Sequence, residues 1–131
     1  MKIAFVAATR STCDKLQVGA VIVRDKSIIA TGYNTAVRGL SHCKEAGHTM
    51  PNGHSRTVHA EMTAIGQAAE TGVSTKGADI FITSSPCWNC FKMIAASGIK
   101  RICFYDFHTD VTFVAAAKSA GIELKQLKNN D

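Results

Sequence analysis

Two stretches, Thr57-Val58-His59-Ala60-Glu61 and Ser85-Pro86-Cys87-Trp88-Asn89-Cys90, organise the rest of this sequence. The imidazole of His59 and the thiols of Cys87 and Cys90 are ligand types that suit one zinc ion. Because the two cysteines are three residues apart, their side chains share one face of a predicted helix. Three protein ligands leave the fourth tetrahedral position to water, which is typical of a catalytic zinc. Glu61 is not needed as a ligand and is placed to exchange protons with that water.

The combined pattern, His-x-Glu followed by Pro-Cys-x-x-Cys, is typical of zinc enzymes that deaminate nucleobases. In the mechanism that this pattern indicates, Glu61 moves a proton from water to the ring nitrogen beside the attacked carbon, and then a proton to the departing amine. The alternative is a structural zinc site in which Glu61 is a solvated helix residue. Such a closed site needs a fourth protein ligand, for which His108 is a candidate.

Length and composition indicate one soluble globular domain spanning 1–131, because 131 residues are too few for two sizeable cores. The formal charge of +5 favours anionic partners, from a mononucleotide to nucleic acid, and is spread along the chain. The sequence shows no secretory pattern and no apolar run of membrane length. We therefore expect a cytoplasmic protein whose five cysteines bind metal rather than form disulfides.

The order of the apolar runs predicts a hairpin followed by alternating strands and helices. Helices are predicted at 3–9, 60–70, 87–97 and 112–120, and strands at 18–23, 28–33, 79–83, 101–105 and 122–127. The link between the first two strands is short enough for antiparallel neighbours, and the later crossovers suit parallel strands. The predicted fold class is α/β, a three-layer α/β/α domain with one mixed five-stranded sheet.

Three local expectations complete the prediction of structure. One face of the helix at 60–70 is expected to pack on the sheet through Ala60, Ala64, Ile65, Ala68 and Ala69. The segment 35–58 has no clear period, which favours a functional loop or one held by something other than a core. The polar tail 128–131 is expected to fray.

On these residues the chain resembles deoxycytidylate (dCMP) deaminases of the cytidine deaminase-like superfamily. The resemblance covers nearly the whole chain. It is carried by the segments 11–23, Gly32-Tyr33-Asn34 with Arg38-Gly39, His59-Ala60-Glu61-Met62-Thr63-Ala64-Ile65, Ser85-Pro86-Cys87-Trp88-Asn89-Cys90 and Ser97-Gly98-Ile99-Lys100. It implies a cytidine deaminase-like fold and a hydrolase that converts dCMP and water to dUMP and ammonia in nucleotide biosynthesis. Members of the family are commonly homohexamers.

The resemblance also implies substrate contacts. Asn34 would bind the sugar, and Ala60 would offer its backbone to the base. A carbonyl of Ser84 or Ser85 would accept from the leaving amino group, and Tyr105 would pack near the nucleotide. The alternatives are a turn residue for Asn34 and a core or edge aromatic for Tyr105.

Regulation by nucleotides is a further implication of the resemblance. Many members are activated by dCTP and inhibited by dTTP, and Mg²⁺ would accompany such an effector. The effector would bind across subunits through the region from Arg24 to Arg38, which includes Gly32. Thr35 and Val37 replace a glycine and a proline of the usual pattern, and so change the conformational freedom of that loop. For the phosphate, the alternatives are the basic residues Arg38, Lys44 and Arg56, or backbone amides and hydroxyls.

A second zinc site is predicted from Cys13, Cys43, His48 and His54. Two sulfur and two nitrogen ligands fit tetrahedral zinc, and the resemblance supports a Cys or His set at these positions. His42 is an alternative to either histidine. The other interpretation is that Cys13 is a buried thiol and that the histidines are ordinary loop residues.

Two rival functions stay open. Deamination of bases in tRNA or single-stranded DNA would need a basic groove and aromatic platforms, but the chain has one tryptophan and no concentrated basic stretch. A free nucleoside deaminase shares the zinc motif but would not explain the dCMP-like loop. The non-enzymatic rival is a zinc-stabilised nucleotide-sensing module without turnover, which the presence of Glu61 disfavours.

Overall fold

This computed structural model describes residues 1–128, which contain seven strands and five helices. The helices are Lys2–Ala8 (α1), Cys43–Ala46 (α2), Ala60–Thr71 (α3), Trp88–Ala96 (α4) and Phe113–Ala120 (α5). The strands are Gly19–Arg24 (β1), Ser27–Tyr33 (β2), Thr35–Ala36 (β3), Thr57–Val58 (β4), Asp79–Ser84 (β5), Arg101–Asp106 (β6) and Glu123–Gln126 (β7). The predicted elements agree with these bounds to within one residue at each end. The tail 128–131 was expected to fray, and its residues 129–131 lie outside the described residues.

The main sheet has five strands in the order β2-β1-β5-β6-β7. Strand β1 is antiparallel to both β2 and β5, whereas β5, β6 and β7 are parallel. The turn between β1 and β2 consists of Asp25 and Lys26, both with positive φ, as a tight hairpin turn requires. The predicted mixed five-stranded sheet is therefore confirmed.

The sheet separates α1 from the other packed helices. Gly19 and Ala20 are successive residues of β1 and so face opposite sides of the sheet. A Cβ on Gly19 would lie 1.9 Å from Ala4 O of α1, whereas a Cβ on Gly32, which pairs with Ala20, would lie 2.4 Å from Ala60 O of α3. The helices α4 and α5 share the α3 side, because Phe91 and Phe113 pack around Phe104 of β6. Three layers result, as predicted.

The core lies between the sheet and the α3 side. Four of its fully buried isoleucines, Ile22, Ile80, Ile82 and Ile102, come from the strands, and a fifth, Ile94, comes from α4. On α3, Ala60, Ala64 and Ala68 are buried, Ile65 is half-buried and Ala69 is exposed. The prediction for Ala69 was wrong. Helix α3 touches the sheet along a narrow stripe of residues four apart, where its backbone approaches Gly32 closely, and Ala69 lies beside that stripe.

The segment 35–58 contains more structure than its lack of period indicated. Strands β3 and β4 form a separate two-stranded sheet that pairs Thr35 with Val58 and Ala36 with Thr57. Between them, the buried Arg56 donates from Nε to Gly47 O at 3.0 Å. These polar contacts bring β4, and with it the start of α3, to the end of β2. No helix within residues 1–128 is long and apolar enough to cross a membrane.

The close approach at Gly32 yields a prediction. Gly32→Ala is expected to lower the free energy of unfolding by about 2 kcal/mol or more, because its methyl group would collide with the backbone of α3 at Ala60 O and Ala64 N. Chemical denaturation measures the change.

Gly66→Ala is the matched control on α3 itself. Its added Cβ would meet nothing within 4 Å, and alanine favours the helix over glycine by roughly 1 kcal/mol. Equal effects of the two substitutions would contradict the packing argument.

Candidate active site

The two halves of the zinc motif meet because each lies at the start of a helix. His59 is the N-cap of α3, and Cys87 is the N-cap of α4. Cys90 follows in the first turn of α4 and is fully buried. Both helices follow strands that end at the same side of the fold, so their N-termini converge there. Unsatisfied amides at these N-termini favour anionic groups.

The three donor atoms fit a tetrahedral zinc. His59 Nδ1 lies 3.6 Å from Cys87 Sγ and 3.3 Å from Cys90 Sγ. Zinc–sulfur and zinc–nitrogen bonds of ordinary length at a tetrahedral angle place S and N about 3.6 Å apart. All three donors lie within 4.8 Å of one another, and His108 is not a member of this group.

Glu61 is buried beside these donors, with 4% of its surface exposed. Burial raises the pKa of its carboxyl, against the opposing effects of a backbone hydrogen bond, a hydrogen bond with Cys90 and electrostatic interactions with the imidazoles of His59 and His108. Burial also raises the pKa of the Cys90 thiol, and the charges of Glu61 and Cys87 raise it further. A buried carboxylate and two thiolates repel one another unless a cation lies among them. The chemistry of the donor set therefore fits a divalent metal.

A pocket of about 270 Å³ opens in front of these groups. It is lined by Cys13, Leu16, Val18, Asn34, Thr57, His59, Ala60, Glu61, Ser84, Ser85, Cys87 and His108. Four of the predicted substrate residues, Asn34, Ala60, Ser84 and Ser85, are thus brought together with the zinc motif. Ala60 is the first residue of α3, so its backbone N–H has no partner within the helix.

Asn34 is also a structural residue of the pocket wall. Its Oδ1 accepts from Val18 N at 2.8 Å and its Nδ2 donates to Leu16 O at 2.6 Å. An amide has a second N–H and a second lone pair, so Asn34 keeps hydrogen-bonding capacity for a ligand.

Tyr105 does not line the pocket, in contrast to the prediction. Its ring packs on Phe5 of α1 with the ring centroids 5.1 Å apart and nearly perpendicular. The reason is strand alternation: Phe104 faces the core beneath α4 and α5, so its neighbour Tyr105 faces α1.

The predicted effector residues lie away from the pocket lining. Arg24 is at the far end of β1 and donates to Ser74 O, whereas Arg38 is exposed and pairs with Glu70 at 3.4 Å. Gly32 is the close-packing position beneath α3. Among the basic residues considered for the phosphate, Arg56 is engaged by Gly47 O.

A second donor cluster consists of Cys13, Cys43 and His48, again within 4.8 Å of one another. His48 Nδ1 lies 3.9 Å from Cys13 Sγ, and Nε2 lies 3.0 Å from Asp14 Oδ1. Burial and the charge of Cys13 raise the pKa of the Cys43 thiol. His54 and His42 are not in this cluster, because His54 lies on a turn closed by the bridge between Thr49 and Ser55, and His42 is the exposed residue before α2.

Sequence reasoning missed several residues of the pocket. Leu16, Val18 and Thr57 come from loops and strand ends without a local pattern. Nothing in the sequence around Asp14 indicated that it pairs with His48. His108 was considered only as a zinc ligand. The one usable signal was the clustering of His108, Thr109 and Asp110 directly after β6, because polar residues at the carboxyl ends of parallel strands often belong to a site.

Residues 1–106 match the family model described as the cytidine and deoxycytidylate deaminase zinc-binding region. ComE operon protein 2 of Bacillus subtilis is 44% identical over 123 residues, which are 92% of this chain and 65% of that protein. The deoxycytidylate deaminase of Saccharomyces cerevisiae is 36% identical over 134 residues, 96% of this chain and 43% of that protein. The chain thus spans less than two thirds of the length of these relatives.

A solved structure shows the same architecture. The dCMP deaminase of the cyanophage S-TIM5, in complex with dCMP and dUMP, is similar with a TM-score of 0.85 and 29% sequence identity. The similarity covers 96% of this chain and 92% of that chain. The cytidine deaminase-like fold predicted from the sequence is therefore confirmed.

The donor set at His59, Cys87 and Cys90 predicts pH-dependent zinc binding. Because burial raises the pKa of the Cys90 thiol, that group loses a proton when zinc binds. Zinc affinity is therefore expected to fall between about pH 8 and about pH 6, by about tenfold per pH unit for each proton displaced. Competition with a chromophoric chelator measures it, and calorimetry in buffers of different ionisation enthalpy counts the protons.

Two cysteine variants make the comparison specific. Cys90→Ser should abolish this site, whereas Cys103→Ser, which removes a buried thiol of β6 outside both donor clusters, should leave zinc uptake unchanged. Affinity that is independent of pH would contradict the argument.

Proposed function

The chain belongs to the cytidine and deoxycytidylate deaminase family, and from this premise we propose that it converts dCMP and water to dUMP and ammonia. The observation that carries the proposal is the buried Glu61 beside the donor set His59, Cys87 and Cys90, where Glu61 lines one pocket together with two of the donors. A structural zinc would not require a buried carboxylate next to its ligands. The relatives described above support deoxycytidylate as the substrate.

His59, Cys87 and Cys90 would hold the zinc ion. When bound, zinc lowers the pKa of water toward neutrality and so supplies a nucleophile. Two thiolates and a neutral imidazole balance the charge of the dication, so a nearby base is needed to take up the water proton.

Glu61 is that base. Burial moves the pKa of the Glu61 carboxyl upward, toward neutral pH. A group whose pKa lies near the working pH can both accept and donate a proton. The water oxygen bonds to C4 of the cytosine while Glu61 takes one proton and delivers it to N3. Glu61 then carries the second proton of that water, from the hydroxyl on C4, to the exocyclic amine; the C4–N4 bond breaks, the C4 carbonyl of dUMP forms, and ammonia leaves.

Backbone and side-chain groups around Glu61 orient the nucleotide. The free N–H of Ala60 donates to the base, and a carbonyl of Ser84 or Ser85 accepts from the leaving amine. Asn34 binds the sugar with the hydrogen-bonding capacity that the pocket wall leaves unused.

The test is release of ammonia from dCMP by the zinc-loaded protein, with cytidine and single-stranded DNA as comparison substrates. Glu61→Gln is expected to lower kcat for dCMP by about 10²- to 10⁴-fold, because general acid–base catalysis contributes that much. Zinc content, measured by atomic absorption, should be unchanged.

Glu70→Gln is the matched control at the exposed end of the same helix. Full turnover in Glu61→Gln would overturn the role of Glu61. A wild-type protein that binds zinc and dCTP but deaminates none of the three substrates would instead favour a nucleotide-sensing module.

We also propose a second, structural zinc held by Cys13, Cys43 and His48. In this arrangement Asp14 orients the imidazole of His48 through Nε2, which is the usual role of a carboxylate behind a histidine ligand. These three side chains supply the ligands, and His54 is not among them. The site would hold the segment 37–56, which has little apolar core of its own.

The second site predicts about two zinc ions per fully loaded chain, and about one in Cys43→Ser. Asp14→Asn should weaken the second zinc by about 10- to 100-fold, because partners behind the ligands contribute that much to metal affinity. Metal analysis and chelator competition provide the measurements. One zinc per chain in the loaded wild type would contradict this site.

Nucleotide regulation and assembly complete the proposal. We propose activation by dCTP and inhibition by dTTP, with Mg²⁺ on the effector, at a site that includes Arg24, Gly32 and Arg38 and lies between subunits of a homohexamer in the cytoplasm. The exposure of Arg38 is compatible with a site completed by a second subunit. Adding each nucleotide to the dCMP assay, and sedimentation of the protein, test these points.

A further inference from the structure

One side chain of the pocket has no part in the chemistry proposed above. His108 lies on the loop 107–112 between β6 and α5 and lines the pocket together with Glu61. It is not a member of the donor group formed by His59, Cys87 and Cys90. Its ring is therefore available to the ligand rather than to the metal.

The loop is tied first to the strand that leads into the zinc motif. The backbone N–H of His108 donates to Ser85 Oγ at 2.7 Å, and the backbone N–H of Ser85 donates to Asp106 O at 2.7 Å. Ser85 is two residues before Cys87. These bonds place the main chain of His108 at the same end of the pocket as the zinc donors.

The second tie runs to the helix that carries Cys90. Asp110 Oδ2 accepts from the backbone N–H of Trp88, the first residue of α4, at 3.0 Å. Asp110 Oδ1 accepts from Thr112 N, also at 3.0 Å. The hydrogen bonds from Thr112 and Trp88 lower the pKa of Asp110, so the tie is made by a carboxylate. A carboxylate at this position also suits the positive end of α4.

The orientation of the ring is restrained as well. Nδ1 of His108 lies 3.3 Å from the hydroxyl of Thr109. Within residues 1–128, Nε2 of His108 makes no hydrogen bond, and the residue lines the pocket.

We propose that His108 packs its imidazole ring against the pyrimidine of the nucleotide, and that Asp110 is the positioning residue that holds it there. The inference rests on the proposed function. Because C4 must lie beside Cys87, Cys90 and Glu61, the base occupies the end of the pocket to which Ser85 and Trp88 tie the loop. Flat aromatic rings are the usual platforms for unstacked bases. The alternative partner, the phosphate, would lie away from this end.

Three substitutions separate ring packing from other contacts. His108→Ala and His108→Gln are expected to lower kcat/KM roughly tenfold for both dCMP and deoxycytidine, mainly through KM, because a stacked base is worth about that factor. His108→Phe, which keeps a ring, should stay within roughly threefold of wild type.

Three results would overturn the packing role. They are unchanged kinetics in His108→Ala, activity retained by Gln but lost by Phe, and a loss confined to dCMP, which would indicate a phosphate contact.

A double-mutant cycle tests Asp110. If Asp110 acts through His108, Asp110→Ala lowers kcat/KM in the wild-type background but adds little to His108→Ala. Additive losses would show that Asp110 merely stabilises α4. Glu123→Gln, which neutralises an exposed acid at the opposite end of the parallel strands, is the matched control.

Failure of this inference is distinguishable from failure of the proposed function. Calorimetric affinity for dUMP in the same zinc-loaded variants reports on base packing without turnover. A wild-type protein that releases no ammonia from dCMP refutes the deaminase, whereas equal dUMP affinity in wild type and His108→Ala refutes the role of His108.

Discussion

The arrangement of the site depends on one electrostatic constraint: several acidic groups are buried together. Glu61 and Cys90 are both buried and share a hydrogen bond, and the charge of Glu61 adds to burial in opposing the ionisation of the Cys90 thiol. In water this pair would be unremarkable, but inside the fold its charges are poorly screened. A cation among His59, Cys87 and Cys90 removes the conflict for the thiols, and the buried carboxyl of Glu61 then lies next to that cation.

That constraint is met only because two helix starts are held close together. Where α3 packs on the sheet, glycine on β2 faces alanines on α3, so the helix backbone is close to the strand. Any lateral shift of α3 would therefore move Glu61. The helix α4 is fixed by an aromatic contact of Phe91 with Phe113 and by the polar tie from Asp110. Rigid elements thus carry the donors, and their N-termini open at the carboxyl edge of the parallel strands, the usual position of sites in such sheets.

The remaining walls are loops, and polar contacts rather than apolar burial hold them. Asn34 binds the backbone at Leu16 and Val18, Arg56 binds the backbone at Gly47 within the segment 35–58, and Ser85 binds the backbone of His108. Hydrogen bonds are directional, so they fix the positions of these loops, which bury little apolar surface of their own. The cluster of Cys13, Cys43 and His48 serves the same need if it binds metal, and Cys13 also lines the pocket.

Strand and helix periods and ligand spacing are local properties of the chain, so the long helices and strands, the three layers and the zinc motif could be predicted from the sequence. The short elements α2, β3 and β4 could not. Tertiary structure decided the rest. Ala69 is exposed and Tyr105 faces α1 because strand alternation and a narrow helix contact, not residue type, set those directions. The pairing of Asp14 with His48 and the entry of His108 into the pocket follow from hydrogen bonds between distant segments. Such bonds leave no periodic trace in a sequence, since the partners are brought together only when the sheet and its helices have formed.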